Sequence, residues 1–390
     1  MNASQNDILQ CQFHLWYALF EHITIKSRFV NLSEIYPHPS LDCGDGDAFI
    51  VHSYEDASSG PIVSTAQVAS CQEVHKNNDL VNYILADSLF LPESASRDYC
   101  NRDELSDDED LTEVCPDADS YDCSYNFQVL ENQLRSFIDE FNGEFVVKLN
   151  WSCPTDATWM IGNSLKSRCL SDIYVLLKSS DRVLFDLEHM FDCCDDKTIA
   201  TPPDVIVVLR KWANLHPSME FRVFVRGKSI VGICQRDCHT YYDFLEDKLD
   251  TLEQLIVQQF QRNIRDVFPL EQYAVDLYVD QKQRVWVIDF NSFGSPTCPI
   301  LFTWEELAGK MIDDTVGPPT TVFDESLQQG TSPCTVDAAA IDFRIIFSAD
   351  ETLPSSKGRS RGPIDVFQAV DFPDFVEICR RDRSAGSSDD

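Results

Sequence analysis

Two aspartates and an asparagine in the C-terminal half have the types and spacing for cation chemistry. Asp289 and Asn291 lie in the run Val285 to Gly294, V-W-V-I-D-F-N-S-F-G, and Asp276 lies in the run Tyr273 to Val279, Y-A-V-D-L-Y-V. The polar stretch Asp280 to Gln283 between them predicts a turn, so the two runs should form an antiparallel hairpin. Strict alternation sets Val285, Val287, Asp289 and Asn291 on one face and Trp286, Ile288 and Phe290 on the other. In the simplest register Asp276 faces Val287 and is diagonal to Asp289, about 7–8 Å away at the backbone. Two carboxylates about 6 Å apart repel by roughly 3 kcal/mol at an effective dielectric near 20. A cation in the gap would relieve that, and two carboxylates with an amide oxygen are hard ligands suited to Mg²⁺. The same spacing also reads as an exposed hairpin whose acids face water.

Other residues of chemical interest end predicted strands. Lys148 closes the apolar run F-V-V-K-L, where a lysine either snorkels to the surface or meets a phosphate. The run V-I-V-V-L, Val205 to Leu209, terminates in Arg210-Lys211-Trp212. Glu220 and Arg222 share one face of a second predicted hairpin, Met219 to Val225 and Ser229 to Gln235, turning at Arg226-Gly227-Lys228. Ser171-Asp172 is expected to cap a helix from Ile173 to Lys178, whose N-terminal end could face an anion.

The elements that must position these groups alternate between helix and strand. Phe127, Leu130, Leu134, Phe137, Ile138 and Phe141 keep helical spacing over Tyr125 to Phe141, with Gly143 as the stop. A longer amphipathic helix is predicted over Phe244 to Val267, between the two hairpins. Strands, helix, strands describe an antiparallel sheet backed by helices, the α+β class.

Composition sets the boundaries. The chain has 390 residues and a formal net charge of -34, which disfavours nucleic acid or an anionic membrane as the main partner. Fifteen cysteines without CxxC pairs point to a reduced cytosolic compartment rather than to zinc or disulfides. Ile8 to Phe20 is too short and too polar to span a bilayer, and reads as an amphipathic helix burying Leu9, Phe13, Trp16, Tyr17 and Phe20. A short strand is expected at Ala48 to Val51 and a helix at Glu73 to Asp87. The acidic stretch from about Asp87 to Tyr125, peaking at Ser106-Asp107-Asp108-Glu109-Asp110, has too little apolar surface to order itself and reads as a disordered linker. Towards the C-terminus, a helix at Trp304 to Ile312 and a strand at Phe343 to Phe347 precede a basic, Gly-containing tether, Ser355 to Pro363, and a disordered end.

Several of these motifs together resemble one family. Cys11-Gln12-Phe13 with Trp16-Tyr17, Thr24-Ile25-Lys26-Ser27, K-L-N-W-S at Lys148 to Ser152, the segment Leu170 to Asp181, L-R-K-W at Leu209 to Trp212, E-F-R at Glu220 to Arg222, Gln235-Arg236-Asp237 and I-D-F-N-x-F-G at Ile288 to Gly294 look like the cell division cycle protein 123 family. The matches keep the family's order from about Cys11 to Leu307. The resemblance implies an ATP-grasp fold, in which two α+β lobes hold ATP and Mg²⁺ between them. By that resemblance Lys148 contacts the phosphates, with Asn150 and Trp151 in the same lobe. Leu209, Arg210, Lys211 and Trp212 form the hinge that meets adenine, and Glu220 meets the ribose or hinge. Arg222 clamps phosphate, while Asp276, Asp289 and Asn291 hold the metal. Ser292 stands where the family usually has proline, and Thr155 where it has a basic residue.

The family's role implies an assembly factor for eukaryotic translation initiation factor 2 that binds its gamma subunit, as a cytoplasmic monomer with no direct nucleic-acid or membrane contact. The expected organisation is an N-terminal segment, 1–86, packed on the first lobe, the acidic linker 87–124, a first lobe 125–200, a second lobe with the metal site 201–312, and an extension 313–390. The alternative is an active ATP-grasp ligase that activates a carboxylate as an acyl phosphate, for which Arg236, Asp237 and His239 are the supporting groups or, more plainly, cap a hairpin.

Overall fold

A computed structural model describes residues 1–35, 78–86, 91–92, 94–95, 125, 127–309 and 341–353. The expected strand at Ala48 to Val51, the acidic peak at Ser106 to Asp110, the tether at Ser355 to Pro363 and the end of the chain lie outside the described residues. The chain divides into two units, one of Lys26–Trp212 and one of Met1–Ile25 with Ala213–Asp390.

The first helix expected over Ile8 to Phe20 is two helices, α1 (Gln5–Gln10) and α2 (Phe13–Phe20), because the chain turns at Cys11-Gln12. Ser4 caps α1 by accepting from the Asp7 amide at 3.1 Å. Phe13, Trp16, Tyr17 and Phe20 are buried as the spacing predicts, whereas Leu9, on α1 ahead of the turn, is only half-buried. Residues 1–86 were expected together on the first lobe; in the structure Met1–Ile25 belong with residues 213–390, and the chain changes unit at Lys26.

The unit Lys26–Trp212 holds β1 (Ser27–Asn31), α3 (Leu32–Ile35), α4 (Asp79–Leu85), α5 (Gln128–Glu140), β2 (Phe145–Lys148), α6 (Leu170–Lys178), α7 (Asp181–Glu188) and β3 (Ile206–Lys211). Its sheet is antiparallel in the order β1-β3-β2. Val147 of β2 pairs with Leu209 of β3, and both enter a core with Leu130, Leu134, Ile173, Tyr174 and Leu177 of the helices. After α5, Asn142 and Gly143 take φ of 55° and 66°, and the Gly143 amide donates to the Ile138 carbonyl at 2.9 Å, closing the helix as its position predicts. The α6 helix starts at Leu170 rather than Ile173. Ser171 and Asp172 therefore sit in its first turn and do not cap it; Asp172 accepts from the Arg168 amide at 2.7 Å.

The other unit carries β4 (Glu220–Arg226), β5 (Ser229–Gln235), α8 (Leu249–Gln259), β6 (Tyr273–Val279), β7 (Val285–Ser292), α9 (Trp304–Gly309) and β8 (Phe343–Arg344). The sheet order is β7-β6-β4-β5-β8, antiparallel except for the β5–β8 pair. The β4–β5 turn is Gly227-Lys228 with φ of 55° and 59°, the two-residue turn whose twist suits a hairpin. The long helix expected over Phe244 to Val267 is segmented into a 3₁₀ turn Glu246–Lys248, α8, and a π-helical turn Phe260–Ile264. On one face of the sheet Phe290 stacks on Phe268 at 4.0 Å and meets Phe20 at 5.0 Å and Trp16 at 5.5 Å. On the other, Phe224, Cys234 and Ala274 pack with Phe293, Phe302, Trp304 and Leu307. The α+β expectation is met.

Candidate functional site

The second face of the larger sheet is apolar at one end and charged at the other, and a bulge produces the charged end. The β6–β7 register runs Leu277 opposite Val287, then shifts, so that Asp276 lies directly opposite Asp289 and Ala274 opposite Asn291. Ile288 is the extra residue. Val285 and Val287 share the core face with Phe290 and Ser292, while Asp289 and Asn291 face the other way. The expected alternation, with Asp276 facing Val287 and Val285 and Val287 on the side of Asp289, is thus corrected by one inserted residue.

The adjacent strand supplies the countercharge. Arg222 of β4 pairs with Asp276 across the ladder, and its guanidinium forks onto the carboxylate, Nε to Oδ1 at 2.7 Å and Nη2 to Oδ2 at 2.8 Å. Its Nη1 donates to the Cys298 carbonyl at 2.7 Å. Arg236 adds a bond to Asp276 Oδ2 at 3.2 Å, and Asn291 Nδ2 approaches the same oxygen at 3.5 Å. Burial raises the Asp276 pKa, but Arg222 and Arg236 outweigh it and hold the carboxyl down at about 2. The cations that reconcile the paired carboxylates are therefore two arginines. Arg222, expected on a phosphate, is engaged with Asp276. Asp289 accepts from the Phe290 amide at 3.2 Å through Oδ1. Glu220 lies two residues before Arg222, opposite Tyr278, so the structure gathers Glu220, Arg222, Asp276, Asp289 and Asn291 in one unit.

The remaining candidates lie in the Lys26–Trp212 unit. Lys148 ends β2, wholly buried, opposite Val208. Arg210, 6% exposed, shares that face of the sheet, away from Val147 and Leu209. Leu209 is a core side chain. Lys211 is exposed, and the Trp212 amide donates to the Glu144 carbonyl at 2.9 Å. Asn150 holds the start of β3, its Nδ2 donating to the Asp204 carbonyl at 2.6 Å and its Oδ1 accepting from the Ile206 amide at 2.7 Å. Trp151 packs edge-on against Phe191 at 6.0 Å.

The family model for D123 matches residues 62–370. The chain belongs to the D123 family. A curated relative from Aspergillus fumigatus, named translation initiation factor eIF2 assembly protein, is 34% identical over 353 residues, 86% of this chain and 72% of that one. A relative of the same name from Dictyostelium discoideum is 33% identical over 380 residues, 92% of this chain and 91% of that one. Among solved structures, C-terminally truncated Cdc123 from Schizosaccharomyces pombe matches with a TM-score of 0.57 at 26% identity, covering 89% of this chain and 99% of that one.

In this D123 chain, sequence reasoning passed over the residue that fixes the loop after Lys148. Asp186 of α7, wholly buried, accepts from the Trp151 amide at 3.3 Å, the Ser152 amide at 2.8 Å and the Ser152 hydroxyl at 2.8 Å. Farther along the loop, Asp156 accepts from the Ser180 hydroxyl at 2.6 Å and the Arg182 amide at 3.2 Å, at the N-terminus of the same helix. One carboxylate on the helix and one on the loop thus pin both ends of Trp151 to Asp156. Asp186 falls on the helical stripe of Val183 and Leu187, an acid at a core position that the spacing could have shown.

Asp289 and Asn291 bring hard oxygen donors to the Asp276 cluster of the D123 chain, while both Asp276 oxygens are taken by Arg222 and Arg236 and Asn291 Nδ2 faces that carboxylate. Asp289 and Asn291 present oxygens on the face that carries Asp276, and the two arginines leave the four charged groups near neutrality, so that a cation would enter with its own anion. Arg236 and Asp237, proposed supports for a ligase, are engaged: Asp237 accepts from the Tyr242 hydroxyl at 2.7 Å and the His239 amide at 3.1 Å. The eight cysteines among the described residues are free thiols, and among those residues no helix is long and apolar enough to cross a membrane.

Proposed function

We propose that this chain is an assembly factor for eukaryotic translation initiation factor 2, binding the gamma subunit in the cytoplasm as a monomer and so supporting translation initiation and cell-cycle progression. The observation that carries this reading is the relative named for that role whose length and this chain's coincide almost end to end. The proposed cofactors are ATP and Mg²⁺, held in an ATP-grasp manner. Asp289 and Asn291, with Asp276, would hold the metal, which neutralises polyphosphate when bound.

Each residue's part follows from its surroundings. Lys148 and Arg210, two cations on one sheet face, supply positive potential to a chain that is otherwise strongly acidic. Asn150 ties the end of β2 to the start of β3, so the strand ending in Lys148 and the strand running to Trp212 move as one. Leu209 to Trp212 would meet adenine through backbone groups, Leu209 itself remaining in the core, and Glu220 would meet the ribose. Arg222 acts on the anion indirectly, by keeping Asp276 ionised and oriented.

Two measurements test the proposal. In calorimetry, Asp289→Ala is expected to lower Mg-ATP affinity at least about tenfold while leaving the thermal midpoint nearly unchanged; retained affinity sinks the site assignment. A pull-down of the gamma subunit with and without Mg-ATP then reads the assembly role: capture by the wild type that weakens in Asp289→Ala supports a nucleotide-gated factor, and no capture in any condition removes the partner.

A further inference from the structure

A polar cleft of about 380 Å³ lies at the outer edge of β7, away from the Asp276 cluster, within the unit that contains both. Its origin is local. β7 is the last strand of its sheet, and Thr24 covers part of the open edge by pairing with Val287 in parallel, its hydroxyl donating to the Val287 carbonyl at 2.6 Å. Two residues earlier, where His22 would continue the pairing opposite Val285, the chain curls into the 3₁₀ turn Glu21–Ile23. The edge at Val285 is left facing the cleft.

The backbone there is directed outward. Strand residues two apart orient their amide and carbonyl alike, and the Val287 carbonyl faces the outer edge. No shift of register separates Val285 from Val287, so the Val285 amide and carbonyl also leave the sheet. The opposite wall is rich in amides. Gln259 Nε2 is a buried donor without a partner among the described residues, while its Oε1 accepts from Asn263 Nδ2 at 3.0 Å. The π-helical turn after α8, closed by the Arg265 amide donating to the Phe260 carbonyl at 2.9 Å, carries Arg262 and Asn263 on this wall. Such turns recur where a helix departs from regularity for function. The third wall is Arg284 stacked over Trp286, 5.0 Å from the ring, with Asp280 engaging the guanidinium at 2.7 Å.

We propose that this cleft docks a short, extended, acidic peptide segment of a partner protein, which adds to the β7 edge at Val285. An outward-facing amide and carbonyl beside a row of side-chain amides suit a peptide backbone, the recurring edge-strand mode of recognition. Arg262, with Arg284 shared with Asp280, makes the charged lining of the cleft cationic, the opposite sign to the chain as a whole, and physiological salt screens the more distant acids beyond about 8 Å. The occupant therefore carries Asp or Glu next to β-formers.

The experiment is to pan a displayed random heptapeptide library against the full-length protein and measure recovered peptides by fluorescence anisotropy. Two variants read the two halves of the proposal. Val285→Pro removes the outward amide at a strand edge, where proline is tolerated, and Arg262→Glu reverses an exposed charge. Acidic peptides are expected, each losing at least about tenfold in affinity in either variant, with the thermal midpoint of Arg262→Glu near that of the wild type and that of Val285→Pro lowered by the lost core packing yet well above the assay temperature. Failure to recover acidic binders, or binding that falls in only one variant, overturns the proposal. Neither substitution touches the nucleotide residues, so the result is independent of whether ATP binds.

Discussion

Asp276 and Asp186 are both buried aspartates, one in each unit, yet they are held in opposite ways. Asp276 meets two guanidinium groups, and its pKa is held at about 2. Asp186 meets a hydroxyl and two backbone amides, with only Arg182 acting on it electrostatically, and burial outweighs those bonds to push its pKa up to about 6. Equal burial thus gives a permanently ionised group in one place and a group that titrates near neutrality in the other. The partner's charge decides, because neutral donors cannot replace the hydration that a carboxylate loses.

The largest expected effect comes from breaking the charged pair. Asp276→Ala leaves Arg222 buried without its carboxylate and should cost about 3–5 kcal/mol, read as a lower midpoint in urea unfolding. For the metal-free wild type, the depressed pKa gives a stabilisation present above about pH 4 and lost as pH falls through about 2.

Asp186 should show the reverse dependence. Its folded pKa lies above the unfolded value near 3.9, so the folded state binds more protons between about pH 4 and pH 6, and stability falls by about 3 kcal/mol as pH rises through that window. Asp186→Asn should remove that slope while keeping an acceptor for Ser152; urea midpoints measured from pH 4 to 7.5 that keep the wild-type slope contradict it.

Two smaller changes sharpen the contrast. Ser152→Ala removes one bond to Asp186 and should cost about 1 kcal/mol at pH 7, together with a further rise in the Asp186 pKa visible by carboxyl NMR. Arg236→Ala, at the half-exposed rim of the Asp276 cluster, should cost less than about 1 kcal/mol because solvent screens that pair. A loss as large as that of Asp276→Ala would mean that Arg236, rather than Arg222, carries the pair.

The hairpins, the α5 helix with its glycine stop and the buried aromatic stripe of α2 were legible because each repeats a period or a turn signal. The family motifs brought Asp276, Asp289 and Asn291 together by residue number, and the structure sets them on one face. Alternation alone put Val285 and Val287 there too, since a bulge leaves no trace in composition. The role of Arg222 was hidden for another reason: β4 and β6 are neighbours separated by β5 and α8 in the chain, and a pairing at that distance has no local signal. Asp186 was missed because an acid in a helix is usually solvated, and only its place between Val183 and Leu187 marks it as inward.

The extra residue at Ile288 changes the parity of β7. Before it, odd-numbered positions belong to the core; after it, even-numbered positions do. Removing Ile288 would restore a regular strand and keep every downstream residue in its present pair, Asp289 opposite Asp276 and Phe290 opposite Val275, whereas straightening the strand with all its residues kept would send Phe290 into the arginines and Asp289 and Asn291 into the aromatic cluster. The spacing of this motif is therefore a frame as much as a list of residues: substitutions within it can be absorbed singly, whereas one residue inserted after the bulge would rewrite both faces beyond it.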